Sequence, residues 1–232
     1  MISLSKEWSL TSRTMYGQEF IDELATFLKK YNIKTILECG CGDGHILNGL
    51  AKKGFICLGI DSNKEMIDLA LKHPIASFKQ INWLNIGNLN KCFDAIICRG
   101  NSLAAVVSWG KSHLNPLEAK KKIEESIRLF FSKLKKNGLL YLDTCSGKDA
   151  GNVEIKIRDI NLKGKVEYNW DKMERRVYGK GEVLGEYFNN GCVSYILTTD
   201  ELERILKKYS PKVFRINLIN EKNYNIICAI KN

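Results

Sequence analysis

No apolar run in this 232-residue chain approaches the length of a membrane span, and its first ten residues, MISLSKEWSL, are too polar to form the hydrophobic core of a secretion signal. A cytoplasmic protein with no membrane partner is expected. No internal repeat and no low-complexity linker appears, so one α/β domain over 1–232 is expected. The chain has only three histidines, none at ligand spacing, and its eight cysteines form no C-x-x-C pair. That pattern excludes the common zinc arrangements, and no metal is expected. The thiols read as reduced, small core residues. The formal charge is +10, but lysines such as Lys120, Lys121, Lys122, Lys133, Lys135 and Lys136 are spread along helical stretches. The surplus is compositional, and nucleic acid is not the favoured partner. Nothing in the sequence sets an oligomeric state.

The run Ile36-Leu37-Glu38-Cys39-Gly40-Cys41-Gly42-Asp43-Gly44 carries the most information. A short apolar segment meets an acid, three glycines alternate, and an amphipathic segment follows. This predicts a strand, a tight turn and a helix. Glycine lacks a Cβ and tolerates positive φ, so the backbone can approach a ligand closely, and the helix start offers free N–H groups. The next apolar run, Phe55 to Ile60, ends in Asp61, where a carboxylate can accept both hydroxyls of a ribose. An adenosine-containing ligand follows. A nicotinamide or flavin fingerprint, G-x-G-x-x-G, would need glycine at 45, which is His45.

Short apolar runs alternate with helical periodicity through the first 145 residues, which predicts a mostly parallel sheet with helices on both faces. Strands are read near 34–39, 56–60, 77–81, 93–98 and 138–143, and helices at 18–31, 45–53 and 63–72. A further helix starts at Asn115-Pro116, carries Ile123, Ile127, Phe130, Phe131 and Leu134, and is expected to stop through Lys135, Lys136, Asn137 and Gly138. Residues 150–197 turn to two-residue alternation, which suits an antiparallel cover over the ligand crevice. A helix capped by Thr198 or Thr199 and two strands, at 213–216 and 225–230, close the sheet.

The pattern E-x-G-x-G-x-G, with Asp61 after the second strand, resembles motif I of class I S-adenosylmethionine-dependent methyltransferases. The likeness extends to Asn82-Trp83, to Cys98-Arg99-Gly100-Asn101-Ser102-Leu103 and to Ser12-Arg13-Thr14, which resemble the glycine N-methyltransferase group. It covers about residues 8–145. It implies a Rossmann-like seven-stranded, mostly parallel sheet with an antiparallel cover inserted after the fifth strand, and an N-terminal helical segment, 1–33, over the cofactor. It implies S-adenosyl-L-methionine as cofactor, with contacts from Arg13, Glu38, Gly40, Gly42, Gly44, Asp61, Ser62, Met66, Asn82, Trp83 and Arg99. Arg13 would hold the methionyl carboxylate, Asn82 the adenine amino group, and Trp83 an adenine face.

The implied reaction is in-line methyl transfer to an N or O nucleophile of a small molecule. Rival readings are an RNA or other nucleic-acid methyltransferase and a non-catalytic cofactor-binding module. Against the first, the position after the fourth strand reads Arg99-Gly100-Asn101-Ser102 and not [DN]-P-P-[YF]. The glycine-type group carries an arginine after the fifth strand to clamp the substrate carboxylate, and here that position is Cys145. Glycine is therefore a doubtful acceptor, because a thiol cannot replace a bidentate guanidinium. Arg158, Arg175, Arg176 and Lys148 are the cations that could serve from the cover. Asn101 and His113 are the catalytic candidates. Asn101 would position the acceptor or cap a turn, and His113 would act as base or stand as a solvated loop residue. Asn101, Trp109, Tyr187 and Tyr195 are the acceptor-pocket candidates. Arg99 would contact an acidic acceptor or face solvent.

Overall fold

The computed structural model describes residues 3–145, 150–157, 160–183 and 186–232, with side chains described outside 153–162 and 182–190. The chain runs α1 (Leu4–Met15), α2 (Gln18–Lys30), β1 (Thr35–Cys39), α3 (His45–Lys52), β2 (Ile56–Asp61), α4 (Lys64–Ala70), β3 (Ser77–Gln80), β4 (Phe93–Cys98), α5 (Pro116–Lys133) and β5 (Leu134–Thr144). It continues through β6 (Gly151–Ile157), β7 (Ile160–Asn169), β8 (Glu174–Val183), β9 (Glu186–Tyr195), α6 (Thr199–Leu206), β10 (Lys212–Ile216) and β11 (Asn225–Ile230). Two 3-10 turns, Trp83–Asn88 and Ser102–Ala105, follow β3 and β4.

The main sheet has the order β10-β11-β5-β4-β1-β2-β3. β1 to β5 run parallel, and β11 and β10 add antiparallel pairs at one edge. This is the Rossmann-like sheet that the residues implied. Its two faces follow from strand periodicity, because successive side chains point to opposite sides. Ile36, Cys57, Ala95, Ile97, Leu139 and Tyr141 pack beneath α2 and α3, on Phe20, Leu24, Leu28, Leu47 and Leu50. Their neighbours Leu37, Leu58, Ile96, Leu140 and Leu142 face α5 and α6, on Ile123, Ile127, Phe130, Leu202 and Ile205. Each buried aliphatic side chain contributes about 1.5–3 kcal/mol by leaving water.

Local signals set most helix starts. Asn115 accepts from the N–H groups of Leu117 (3.1 Å) and Glu118 (3.2 Å), with Pro116 in the first turn of α5. Thr198 accepts from Glu201 N–H at 3.1 Å and starts α6. Gly44, at φ 71°, precedes α3, and a Cβ there would fall 2.4 Å from the Phe78 ring.

The end of α5 departs from expectation. Residues 135–138 belong to β5 and do not form a helix stop. Leu134 pairs with Phe93, the register then shifts, and Leu139 pairs with Ala95. Asn137, at φ 61°, takes up the shift. Lys135 Nζ reaches Asp94 Oδ1 at 2.8 Å. Lys135 thus serves the amino-terminal end of the central strands, where Asp94 of β4 also accepts from Thr35 N–H of β1 at 2.8 Å.

The second sheet, β6-β7-β8-β9, is an antiparallel meander between β5 and α6. Its last strand rests on the 101–108 segment: Ser108 Oγ donates to the Val193 carbonyl at 2.6 Å.

Candidate functional site

The carboxyl ends of β1, β2 and β4 open into a crevice with two connected lobes. The outer lobe, about 600 Å³, lies between the glycine turn, Asp61, Ser62 and Met66 on one side and Asn82, Trp83 and Trp109 on the other. The inner lobe, about 480 Å³, runs from Gly40 and Gly42 past Asp43 and His45 to Tyr16, Arg99 and Gly100. Trp8 of α1 borders both, so the N-terminal helix forms one wall.

Backbone geometry builds the outer lobe. Gly40 lies at φ 73°, and a Cβ there would sit 3.0 Å from Trp83 Cζ3 and 3.2 Å from Ser102 Cβ. Only glycine lets three segments meet at this point. Asp61 ends β2 with Oδ2 accepting from Gly42 N–H at 3.0 Å and Oδ1 from Asn63 N–H at 2.9 Å. Burial raises the Asp61 carboxyl, and those N–H groups partly offset it. Asn82 caps the following 3-10 turn through Leu84 N–H at 2.9 Å. Trp83 is fixed by a hydrogen bond from its Nε1 to Ser126 Oγ at 3.0 Å and by edge contact with Phe130. Trp8 and Trp109 meet edge to face at 6.0 Å.

The inner lobe is built from ionisable groups. Glu38, 2% exposed, stands behind the glycine turn, and Arg99 Nε lies 3.1 Å from its Oε1. The guanidinium also covers the rings of Tyr16 (4.7 Å) and Phe20 (5.5 Å). Burial pushes the Glu38 carboxyl up while Arg99 pulls it down. Asp43, which the sequence reading passed over, is 5% exposed; it accepts from Ser9 Oγ at 2.6 Å, from His45 N–H at 3.1 Å and from Arg13 Nε. It therefore ties α1 to the start of α3. His45 Nε2 lies 3.0 Å from the Tyr16 carbonyl, and burial lowers its pKa.

A second carboxylate missed in the sequence, Asp143 at the end of β5, accepts from Gly100 and Asn101 N–H groups, both at 2.7 Å. It holds Asn101 at φ 58°. Burial pushes its carboxyl up to about 7 against the pull of those two N–H groups. The folded protein thus binds this proton more tightly than the unfolded chain, whose value is the ordinary 3.8. The stabilising contribution is complete below that ordinary value and is lost as pH rises through about 7. Thermal unfolding should show wild type losing more stability between about pH 5 and pH 8 than Asp143→Asn; equal slopes would contradict the assignment.

Several predicted residues stand elsewhere. Tyr195 is 5% exposed, and its hydroxyl lies 3.1 Å from Glu201 Oε2, so it belongs to the core and not to a pocket. His113 is exposed on its loop and lies outside both lobes. Asn101 makes no side-chain cap; its Nδ2 turns towards Ser194 Oγ of β9 at 3.4 Å. Gly44 is absent from the lining of both lobes, and a Cβ there would meet the Phe78 ring. Arg13 is bound to Asp43, with its side chain 49% exposed. Arg99 faces inward and not towards solvent, because Glu38 and two rings enclose it. Arg176 pairs with Glu174 at 2.8 Å, and Arg175 is buried on β8. Lys148, Arg158 and the side chain of Tyr187 lie outside the described residues.

A family model described as a methyltransferase domain matches residues 32–209. A ubiquinone biosynthesis O-methyltransferase of Coxiella burnetii is 32% identical over 121 residues, covering 50% of this chain and 50% of that protein. The chain thus spans about half the length of the curated relatives it matches first. Among solved structures, DesVI of Streptomyces venezuelae has a TM-score of 0.77 at 12% identity, with 100% of both chains covered. CalS10 of Micromonospora echinaspora, an amino pentose methyltransferase, has a TM-score of 0.74 at 13% identity, with 100% of this chain and 98% of that one covered. At such identities these two likenesses concern the fold.

Proposed function

This chain belongs to the methyltransferase domain family, and we propose that it moves a methyl group from S-adenosylmethionine to a nitrogen or oxygen nucleophile of a small molecule. One observation carries the reading: the Asp61 carboxylate and the backbone of Gly40 and Gly42 line a single crevice, with Asn82 and Trp83 opposite. Asp61 would receive the ribose hydroxyls, Asn82 the adenine amino group, and Trp83 with Met66 the adenine faces. Glu38 Oε2 has no hydrogen-bond partner among the described residues, and it would receive the methionyl ammonium.

Charge supports the same donor. The protein carries +10 overall, yet Glu38, Asp43, Asp61 and Asp143 surround the crevice. A locally acidic interior suits a ligand bearing a sulfonium and an ammonium. The donor supplies an activated methyl and a good thioether leaving group, so the chain's own task is alignment and exclusion of water. Trp8, Trp109 and the cover would close over the acceptor. Names among the relatives and structural neighbours include a ubiquinone biosynthesis O-methyltransferase and the sugar N-methyltransferase KedS8.

The test uses the tryptophans. Trp8, Trp83 and Trp109, three of the four in the chain, line the outer lobe. S-adenosylhomocysteine should change their fluorescence saturably, and NADH should not. S-adenosylhomocysteine should then accumulate with small acceptors and not with RNA or DNA. An unchanged emission, or turnover confined to nucleic acid, would overturn the reading.

A further inference from the structure

Glu38 Oε2 and Arg99 Nη1 are buried and lack a hydrogen-bond partner among the described residues. Buried polar atoms are ordinarily paired, and charged ones most of all. The two atoms belong to one ion pair, in which Arg99 Nε lies 3.1 Å from Glu38 Oε1. That pair offers an unused acceptor and an unused donor, of opposite charge, on neighbouring side chains.

The crevice has few other cations. Among the described residues, Arg99 is the only lysine or arginine that lines either lobe. Arg13, to which the sequence resemblance gives the methionyl carboxylate, lines neither; Asp43 holds its Nε, and its side chain is 49% exposed. His45 lines the inner lobe, but burial disfavours its charged form, and its Nε2 is taken up by the Tyr16 carbonyl at 3.0 Å. Asp43 and Asp61, which line the lobes, are acids. A ligand carboxylate placed here without a cation would be both desolvated and repelled.

The guanidinium is set in advance. Arg99 is the first residue beyond β4, and Glu38 stands on β1 opposite Ile97 of β4. Ser102 Oγ donates to the Arg99 carbonyl at 2.7 Å, and the Tyr16 ring lies 4.7 Å from the guanidinium carbon. The guanidinium's one hydrogen bond among the described residues is from Nε to Glu38. Its Nη groups are left over, and such a planar fork suits a carboxylate.

We infer that Arg99, and not Arg13, receives the carboxylate of the donor's methionyl group, beside the Glu38 oxygen that receives its ammonium. The adenosine half belongs to the outer lobe, with Asp61, Asn82 and Trp83. Gly40 and Gly42 line both lobes and so join the two halves of the ligand. An α-amino acid carries its two charges on one carbon, and the Glu38–Arg99 pair presents the opposite two on adjacent side chains. Binding then gives both unpaired atoms charged hydrogen bonds.

The inference rests on the methyl-transfer reading, and the ligands are chosen to separate the two. Calorimetry on the full chain compares S-adenosylhomocysteine with its decarboxylated form, which keeps the ammonium and lacks only the carboxylate. Wild type should bind the first more tightly by about 30-fold. The double variant Glu38→Gln with Arg99→Met removes both buried charges at similar volume, and it should bring the two affinities within about threefold of each other. Loss of Glu38 touches the ammonium of both ligands alike, so the ratio reports on Arg99. Arg99→Lys keeps a cation beside Glu38, which protects the fold, but lacks the fork; its ratio should fall by about threefold or more. Arg13→Ala should keep the wild-type ratio. Equal affinities in wild type, an undiminished ratio in the double variant or in Arg99→Lys, or a ratio lost in Arg13→Ala would each overturn the inference. Equal binding of both ligands by wild type leaves the methyl-transfer reading standing, whereas binding of neither overturns that reading itself.

Discussion

Arg99→Ala should lower the unfolding free energy by about 3–5 kcal/mol, the usual cost of removing one member of a buried ion pair. The pair lies in the interior, with side-chain exposures of 10% for Arg99 and 3% for Glu38. Alanine would leave the Glu38 carboxylate without its cation, in a place where burial already opposes its charge. It would also remove the plate that covers Tyr16 and Phe20. For a chain of this length each kcal/mol moves the thermal midpoint by about 2–4 °C, so the midpoint should fall by about 10 °C. The double variant Glu38→Gln with Arg99→Met removes both charges and keeps volume, and it should recover most of the loss. Thermal and urea unfolding measure both. A single variant within about 1 kcal/mol of wild type would show that water, and not Arg99, satisfies Glu38.

Asp61→Ala should weaken S-adenosylmethionine binding by about 1–3 kcal/mol, or about 5- to 150-fold, through loss of charged hydrogen bonds to the ribose. The structure adds a second cause. The same carboxylate accepts from Gly42 and Asn63 N–H groups, so alanine also releases the glycine turn from β2. Asp61→Asn keeps one acceptor oxygen and should lose less. Calorimetry distinguishes the three proteins, and unchanged affinity in Asp61→Ala would remove the ribose assignment.

Some of the site was legible in the residues. Glu38, Gly40, Gly42 and Asp61 form a local pattern, because a strand end, a positive φ and the next strand end are set by adjacent positions. The two faces of the sheet were equally legible, since alternation along β1, β4 and β5 fixes which side chains meet which helix. Side-chain partners were not legible. Tyr195 looked like a pocket aromatic until Glu201 claimed its hydroxyl, and Asn101 looked like a turn cap until Ser194 lay across from it. The cationic run at 135–136 looked like a helix end, but it lies in β5, where Lys135 pairs with Asp94 of the neighbouring strand.

The sequence by itself determined the glycine turn, the acids at two strand ends and the alternation of strands with helices, because backbone conformation and periodicity depend on neighbours along the chain. Only the tertiary structure decided which buried charges meet: Glu38 with Arg99, Asp143 with the N–H groups of Gly100 and Asn101, and Glu221 beside Tyr16. Those pairs join residues far apart in the chain, and a charge removed from water accepts whichever partner the packing brings within reach.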